Sequence, residues 1–325
     1  MLKMKVGAAL AGLLALTGAA HSQGWPSRPV TMVVPFAAGG TTDVLGRIIA
    51  QRVGESLGQQ FVVENIGGAG GMTGSNRVAK AAPDGSQLLF SGLGPLALSQ
   101  TLYKRPLYNT LTDFEPVTLI TEVPLVLVAR KNLPVSNLSD FVTYAKANGA
   151  NMTYGSAGSG SAPHFGCVLL NMAMGTNITH VPFRGSGPAL QELVSGRIDF
   201  YCDAVTAPLP HIQANSVKPI AMLTRNRVAL LPNLPTAHEQ GLANVEADVW
   251  FGFFLARGTP EPIVRRLHHA TVEAMKAPAL RERVESLGAS LVAAERTTPE
   301  YLAGFVRSEI EKWAAPIKAS GVSVE

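Results

Sequence analysis

Two stretches of small residues carry the chemistry legible in this chain. One is the turn 36–43, Phe36-Ala37-Ala38-Gly39-Gly40-Thr41-Thr42-Asp43; the other runs through Gly155-Ser156-Ala157-Gly158-Ser159-Gly160-Ser161 to His164. Each follows a strand-like run and opens a stretch of helical spacing. The first turn of a helix holds amide donors without intrahelical partners and a partial positive charge, and small side chains let a ligand reach them. Each turn is therefore a candidate anion cradle. The plain alternative is an ordinary strand-to-helix turn in which Thr41, Thr42, Ser159 or Ser161 only caps its helix. Two such turns in corresponding places favour the cradle.

Two charges stand at the ends of predicted strands. Arg184 has the chemistry to pair with a ligand carboxylate, and Asp203 to accept from an amine or hydroxyl; the competing roles are a surface arginine and a carboxylate that satisfies turn amides. Covalent catalysis would need Ser156, Ser159 or Ser161 with His164, or His180 with Asp203, as nucleophile, base and orienter. No Gly-x-Ser-x-Gly elbow supports it, because Gly158-Ser159-Gly160 is out of frame. His238-Glu239 begins a zinc motif that Leu242 leaves incomplete, and His268-His269 reads as a solvated helix face. The glycines of 67–71 lack the Gly-x-Gly-x-x-Gly frame between strand and helix, and no Gly-Lys-Ser/Thr occurs, so that stretch reads as a wall of the cleft and not a nucleotide site. No catalytic residue, cofactor or metal is expected.

The elements that position these residues alternate. Pro29-Val30-Thr31-Met32-Val33-Val34-Pro35 reads as a strand, and Val44, Leu45, Ile48, Ile49, Val53 and Leu57 as the buried stripe of a helix that Gly58 ends. Phe61-Val62-Val63-Glu64 is the next strand, 75–81 a helix and Leu88-Leu89-Phe90 a buried strand. Pro124-Leu125-Val126-Leu127-Val128-Ala129 opens a second unit of similar alternation, with strands at 178–182, 198–202 and 220–223. Trp250-Phe251-Gly252-Phe253-Phe254-Leu255 begins the C-terminal part, followed by a helix from Pro260 to Lys276 and an amphipathic one carrying Leu302, Phe305, Val306, Ile310, Trp313 and Ile317. Such alternation predicts an α/β fold of largely parallel sheets flanked by helices, with ligands bound beyond the strands' carboxyl ends.

Composition narrows the class. Met1-Leu2-Lys3-Met4-Lys5, the apolar run 6–20 and Ala20-His21-Ser22 read as a signal peptide over 1–22, too short to span a membrane and without a cysteine for lipid attachment. Removal of Lys3 and Lys5 leaves 25 basic against 23 acidic residues, and no basic stripe points to nucleic acid. At 46% hydrophobic and 15% charged residues the chain is globular, and about 300 residues suit two domains. Cys167 and Cys202 are either one disulfide, as an oxidising compartment favours, or two buried thiols.

Taken in order, the residues resemble a family, the Bug/TctC receptors of tripartite tricarboxylate transporters. The likeness runs through Trp25-Pro26, the segment 33–40 with Asp43, Glu64-Asn65, Gly68-Ala69-Gly70-Gly71, Ala82-Pro83-Asp84-Gly85, the segment 154–161 with His164, His180-Val181-Pro182-Phe183-Arg184-Gly185, Gly196-Arg197-Ile198-Asp199, Leu231-Pro232-Asn233-Leu234-Pro235-Thr236 and Trp250-Phe251-Gly252. Thr41, Met72 and Cys202 depart from the family's pattern.

The resemblance implies an exported two-lobed clamshell, with lobe 1 formed by 23–122 plus 246–325 and lobe 2 by 123–245. It implies a periplasmic solute-binding protein that captures a small carboxylate between the lobes, and a monomer is the plain expectation. The expected partners are the transporter's membrane components or a sensor kinase; a hydrolase or lyase of the same fold is the alternative. Carried onto this chain, one jaw is Phe36, Ala38, Gly39, Thr42 and Asp43, the other Ser156, Gly158, Ser159, Ser161 and His164, with Arg184 and Asp203 setting specificity. A Cys167–Cys202 bond would stiffen lobe 2 near the cleft.

Overall fold

β1 (Val30–Val34) is buried at four of its five positions, as an apolar run flanked by strands on both sides must be. In the computed structural model, which describes residues 24–325, it lies parallel to β2 (Phe61–Asn65) on one side and β3 (Gln87–Gly92) on the other. The signal segment expected at 1–22 lies outside the described residues. Helix α1 (Thr41–Leu57) follows β1 and stops at Gly58, whose left-handed backbone (φ 68°) returns its amide to the Gly54 carbonyl. Helix α2 (Met72–Ala79) links β2 to β3.

The 17-residue strand β4 (Phe114–Arg130) joins the two halves of the molecule. Through Pro124 it pairs antiparallel with β9 (Asp248–Ala256). From Leu125 onward it pairs antiparallel with β7 (Phe200–Ala204) and β8 (Val217–Met222). Only its second part is legible as an apolar run. The first part mixes Glu115, Pro116, Thr118 and Glu122 with the apolar residues, and its register slips at Pro116, where a ladder donor is missing.

Beyond β4 lie α3 (Leu138–Asn148), β5 (Thr153–Ser156), α4 (Ala162–Met174), β6 (Thr179–Pro182) and α5 (Ser186–Val194). β5 runs parallel to both β6 and β7. The sheet order is therefore β2-β1-β3-β9-β4-β7-β5-β6, with parallel flanks and an antiparallel centre where the two connecting strands lie. The predicted α/β class holds, and the turns at the strands' carboxyl ends converge between the flanks.

After β9 the chain forms α6 (Glu261–Lys276), α7 (Pro278–Glu285), the short β10 (Ser290–Leu291) paired with β4, and α8 (Pro299–Ser320). Leu302, Val306, Trp313 and Ile317 of the predicted stripe are buried, with Phe305 and Ile310 packed beside them. Trp250 and Trp313 both donate their indole N–H to Glu309, at 3.2 and 3.0 Å, so the buried carboxylate of α8 is held by a strand and by its own helix. Trp313 also meets Phe165 of α4 edge-on at 5.5 Å. Cys167 of α4 and Cys202 of β7 form a disulfide, with Cα atoms 5.4 Å apart. Among the described residues no helix is long and apolar enough to cross a membrane.

Candidate ligand cleft

A narrow cavity of about 30 Å³ lies where the turns of the two flanks meet. The β1–α1 turn supplies Phe36, Gly40, Thr41 and Thr42. The end of β3 adds Leu93, Gly94 and Pro95; β9 adds Val249 and Phe251. The opposite face consists of Ala157, Ala162 and Pro163 with Ser186, Asp203 and Ala204.

The β1–α1 turn is shaped to leave its donors free. Gly39 takes a left-handed conformation (φ 83°), and Gly40 caps α1 without any side-chain hydrogen bond, so the first-turn amides have no capping acceptor. Asp43 does not face the cavity. Its Oδ2 accepts from the Gly39 amide at 3.0 Å, and its Oδ1 from Arg47 Nε at 3.0 Å and Asn65 Nδ2 at 2.9 Å. Asn65 also donates to the Phe36 carbonyl at 3.0 Å. Burial works to raise the Asp43 pKa, but the bonds from Arg47, the Gly39 amide and Asn65 outweigh it and hold the carboxyl below its ordinary value. Asp43 is thus an ionised brace that holds the turn's shape, while Ala38 and Gly39 lie exposed outside the lining.

The turn 154–164 is built differently. Ser161 Oγ caps α4 by accepting the His164 amide at 3.3 Å, and His164 Nδ1 accepts the Gly160 amide at 3.2 Å. Ser156 Oγ accepts from the Gly158 amide at 3.0 Å and lies 2.6 Å from His180 Nε2. Tyr103 donates its hydroxyl to the Ser159 carbonyl at 2.8 Å. The hydroxyls of Ser156 and Ser161, the amide of Gly158, the carbonyl of Ser159 and Nδ1 of His164 are therefore used within the turn and its surroundings, and none of these five residues lines the cavity. Gly70, from the stretch expected to wall the cleft, packs against the Ser159 carbonyl instead.

His164 and His180 stack at 4.1 Å between centroids, with Tyr154 stacked on His180 at 5.0 Å. Burial, reinforced by His180, lowers the His164 pKa to about 3, and burial lowers that of His180 to about 4, so both rings are neutral at pH 7. Asp203 reaches neither ring. Its Oδ1 accepts from Ser186 Oγ at 3.0 Å and from the Ala204 amide at 2.8 Å, so the Ser156–His180 pair lacks Asp203 as an orienter.

The second open helix end belongs to α5. Its cap, Gly185, makes no side-chain bond either, and Ser186 opens the helix beside the cavity. The two flanks touch there. Ala37 N donates to the Arg184 carbonyl at 2.9 Å, and Thr41 Oγ1 bridges the Ala204 carbonyl and the Ala207 amide at 3.2 Å each. A Cβ on Gly40 would lie 3.2 Å from that of Ser186. Arg184 thus contributes its carbonyl, and its exposed side chain stays outside the lining, because the chain turns outward before α5 begins. Of the residues expected from sequence, Phe36, Thr42 and Asp203 line the cavity. Ser186 was within reach of sequence reading, since Phe183-Arg184-Gly185-Ser186-Gly187 is another small-residue turn before a helix. Leu93, Pro95 and Phe251 carried no signal beyond that of core strands.

An α/β fold whose strand-end turns enclose a cavity, with two uncapped helix N-termini on its wall, is the architecture of a solute-binding protein. The family model of the tripartite tricarboxylate transporter family receptor matches residues 45–322. A protein in the TAR-I ttuE-ttuC' intergenic region of Agrobacterium vitis is 42% identical over 297 residues, 91% of this chain and 86% of that one. The structure of the periplasmic binding protein BugD superposes with a TM-score of 0.89 at 37% identity, covering 93% of this chain and all of that one (100%). MatC from Rhodopseudomonas palustris with bound malate superposes at 0.88 with 40% identity, covering 90% and 100%. The chain belongs to the tripartite tricarboxylate transporter receptor family, whose members are solute-binding receptors and not enzymes.

Proposed function

We propose that the protein is an exported, periplasmic receptor that encloses a small carboxylate and delivers it, unchanged, to membrane components of a tripartite tricarboxylate-type transporter or to a sensor kinase. The observation that carries this reading is the uncapped amino end of α1, whose first-turn residues Thr41 and Thr42 line a cavity shared with the amino end of α5. Such ends favour negative charge, and enclosure strengthens the effect by excluding water. The malate bound to MatC supports the carboxylate class, since that protein is 40% identical.

The lobes of this reading are 23–122 with 246–325, and 123–245, each operating as a monomer's half-shell. In support, β4 changes partners from β9 to β7 and β8 between Pro124 and Leu125, and the chain returns into β9 at Asp248. Bending at those two crossings would separate Ala37 from Arg184 and Thr41 from Ala204 and open the cavity.

The test is a thermal-shift screen of the mature protein, stripped of carried-over ligand, against mono-, di- and tricarboxylates with their amides as controls. A ligand at a hundred times its Kd adds about 2.7 kcal/mol of native stability, a shift of several degrees. An acid that shifts the melt, whose amide does not, and that is recovered unchanged supports the receptor. Absence of any shift, or consumption of the acid, rejects it.

A further inference from the structure

Beside the open helix ends, the cavity wall carries a buried side-chain oxygen without a hydrogen-bond partner in the protein. Asp203 is 1% exposed and lines the cavity, yet its Oδ2 is buried without a hydrogen-bond partner, whereas Oδ1 has two. An unpaired buried carboxyl oxygen is costly and uncommon, so its persistence at a ligand-facing position calls for a partner that arrives from outside. Its surroundings hold it rigidly. Ser186 Oγ, the donor to Oδ1, lies 2.9 Å from the Tyr201 hydroxyl, and Cys202, the preceding residue, is tied to α4 through Cys167.

The position of this atom bears on the ligand. The next residue, Ala204, accepts from Thr41 at the open end of α1, and Ser186 packs against Gly40. The Asp203 carboxyl therefore lies beside the proposed carboxylate cradle. A ligand with a bare methylene next to its carboxylate would leave Oδ2 of the ionised carboxyl unsatisfied and facing another acceptor. A hydroxyl or ammonium on that carbon supplies the missing donor. Phe36, Leu93, Pro95, Val249 and Phe251 present apolar surface, and the other polar side chains of the lining are the hydroxyls of Thr41, Thr42 and Ser186.

Resting on the carboxylate-receptor reading, we infer that Asp203 is the specificity residue of the cleft and that it selects 2-hydroxy or 2-amino carboxylates over their unsubstituted counterparts. The cradle takes the carboxylate, and Oδ2 takes the donor on the neighbouring carbon. This divides recognition between backbone amides shared by any carboxylate and one side chain that reads the adjacent substituent.

Isothermal titration of the stripped mature protein with matched pairs tests the assignment: malate against succinate, and 2-hydroxy-4-methylpentanoate and leucine against 4-methylpentanoate, both enantiomers of each chiral acid. The substituted member should bind at least tenfold more tightly in a pair that binds. Asp203→Asn keeps an oxygen for Ser186 and Ala204 while placing an amide donor at the Oδ2 position, so the preference should fall to within threefold. Equal affinity within the pairs in the native protein overturns the inference and leaves the receptor reading standing, and this outcome needs no variant. A preference that survives in Asp203→Asn also overturns it. If no acid of any pair binds, the carboxylate reading fails and the inference fails with it.

Discussion

The turns 36–43 and 154–164 look alike in sequence and differ in how their donors are used. Both are runs of glycine, alanine and hydroxyl residues before a helix. At α1 the capping residue is Gly40, which has no side-chain oxygen, and the carboxylate of Asp43 reaches back to the Gly39 amide. At α4 the capping residue is Ser161, which accepts the His164 amide, while His164 accepts the Gly160 amide. In both turns the third helical residue reaches back to the amide before the cap; what differs is the cap itself, which accepts a first-turn amide at α4 and none at α1. A small-residue turn is a ligand cradle only when its capping residue leaves the donors free.

The largest effect that would test this contrast is steric. Gly40→Val adds a branched side chain where a Cβ already approaches that of Ser186 to 3.2 Å, so ligand affinity should fall a hundredfold or more by titration while the unliganded protein still folds. The matching change at the other turn, Ser156→Ala, removes contacts to His180 and Gly158 and should lower the melting temperature with less than a threefold change in affinity. Equal losses of affinity in both variants would erase the distinction.

Reduction of Cys167–Cys202 should lower unfolding free energy by about 3–4 kcal/mol in the chain-entropy view, read from denaturant titrations with and without reductant. Asp43→Ala should cost about 1–3 kcal/mol of stability, because the Gly39 amide, Arg47 and Asn65 lose a common charged acceptor, and should weaken binding as the turn loosens. Retained affinity in that variant would show that the turn holds its shape without the brace.

The smallest effects lie in the pH profile. His164 and His180 titrate at 6.5 when unfolded but near about 3 and about 4 when folded, so protons favour the unfolded chain. Their contribution is complete above pH 6.5 and is lost as pH falls toward 4 and below, a decline that His180→Asn should reduce. Asp203 has the opposite sign. Burial raises its pKa from 3.8 to about 7, so stability associated with its protonated form declines as pH rises from 3.8 through 7. Melts of Asp203→Asn should lack that limb, and a bound ligand that donates to Asp203 should shift it.

Much of the fold was legible because local chemistry repeats it. The α1 stripe, the Gly58 stop and the buried run of β1 each follow from residues within one element. The first part of β4 was not, since its glutamates, prolines and threonines are accommodated by pairing with β9, more than a hundred residues away in the chain. The site divides in the same way. Phe36, Thr42 and Asp203 were identifiable from turn chemistry and strand ends, but the Arg184 side chain is exposed outside the lining and Ser186, two residues later, takes the place beside the cavity.

The sequence by itself determined the alternation of strands and helices, the small-residue turns and the family, because periodicity, capping chemistry and ordered motifs are local properties of a chain. Tertiary structure decided which helix ends remain open, which carboxyl oxygen is left unpaired and which apolar residues face the ligand. Those depend on what each group meets across the fold: Gly40 on Ser186, Thr41 on Ala204, and Asp203 between Ser186 and a space that the protein itself does not fill.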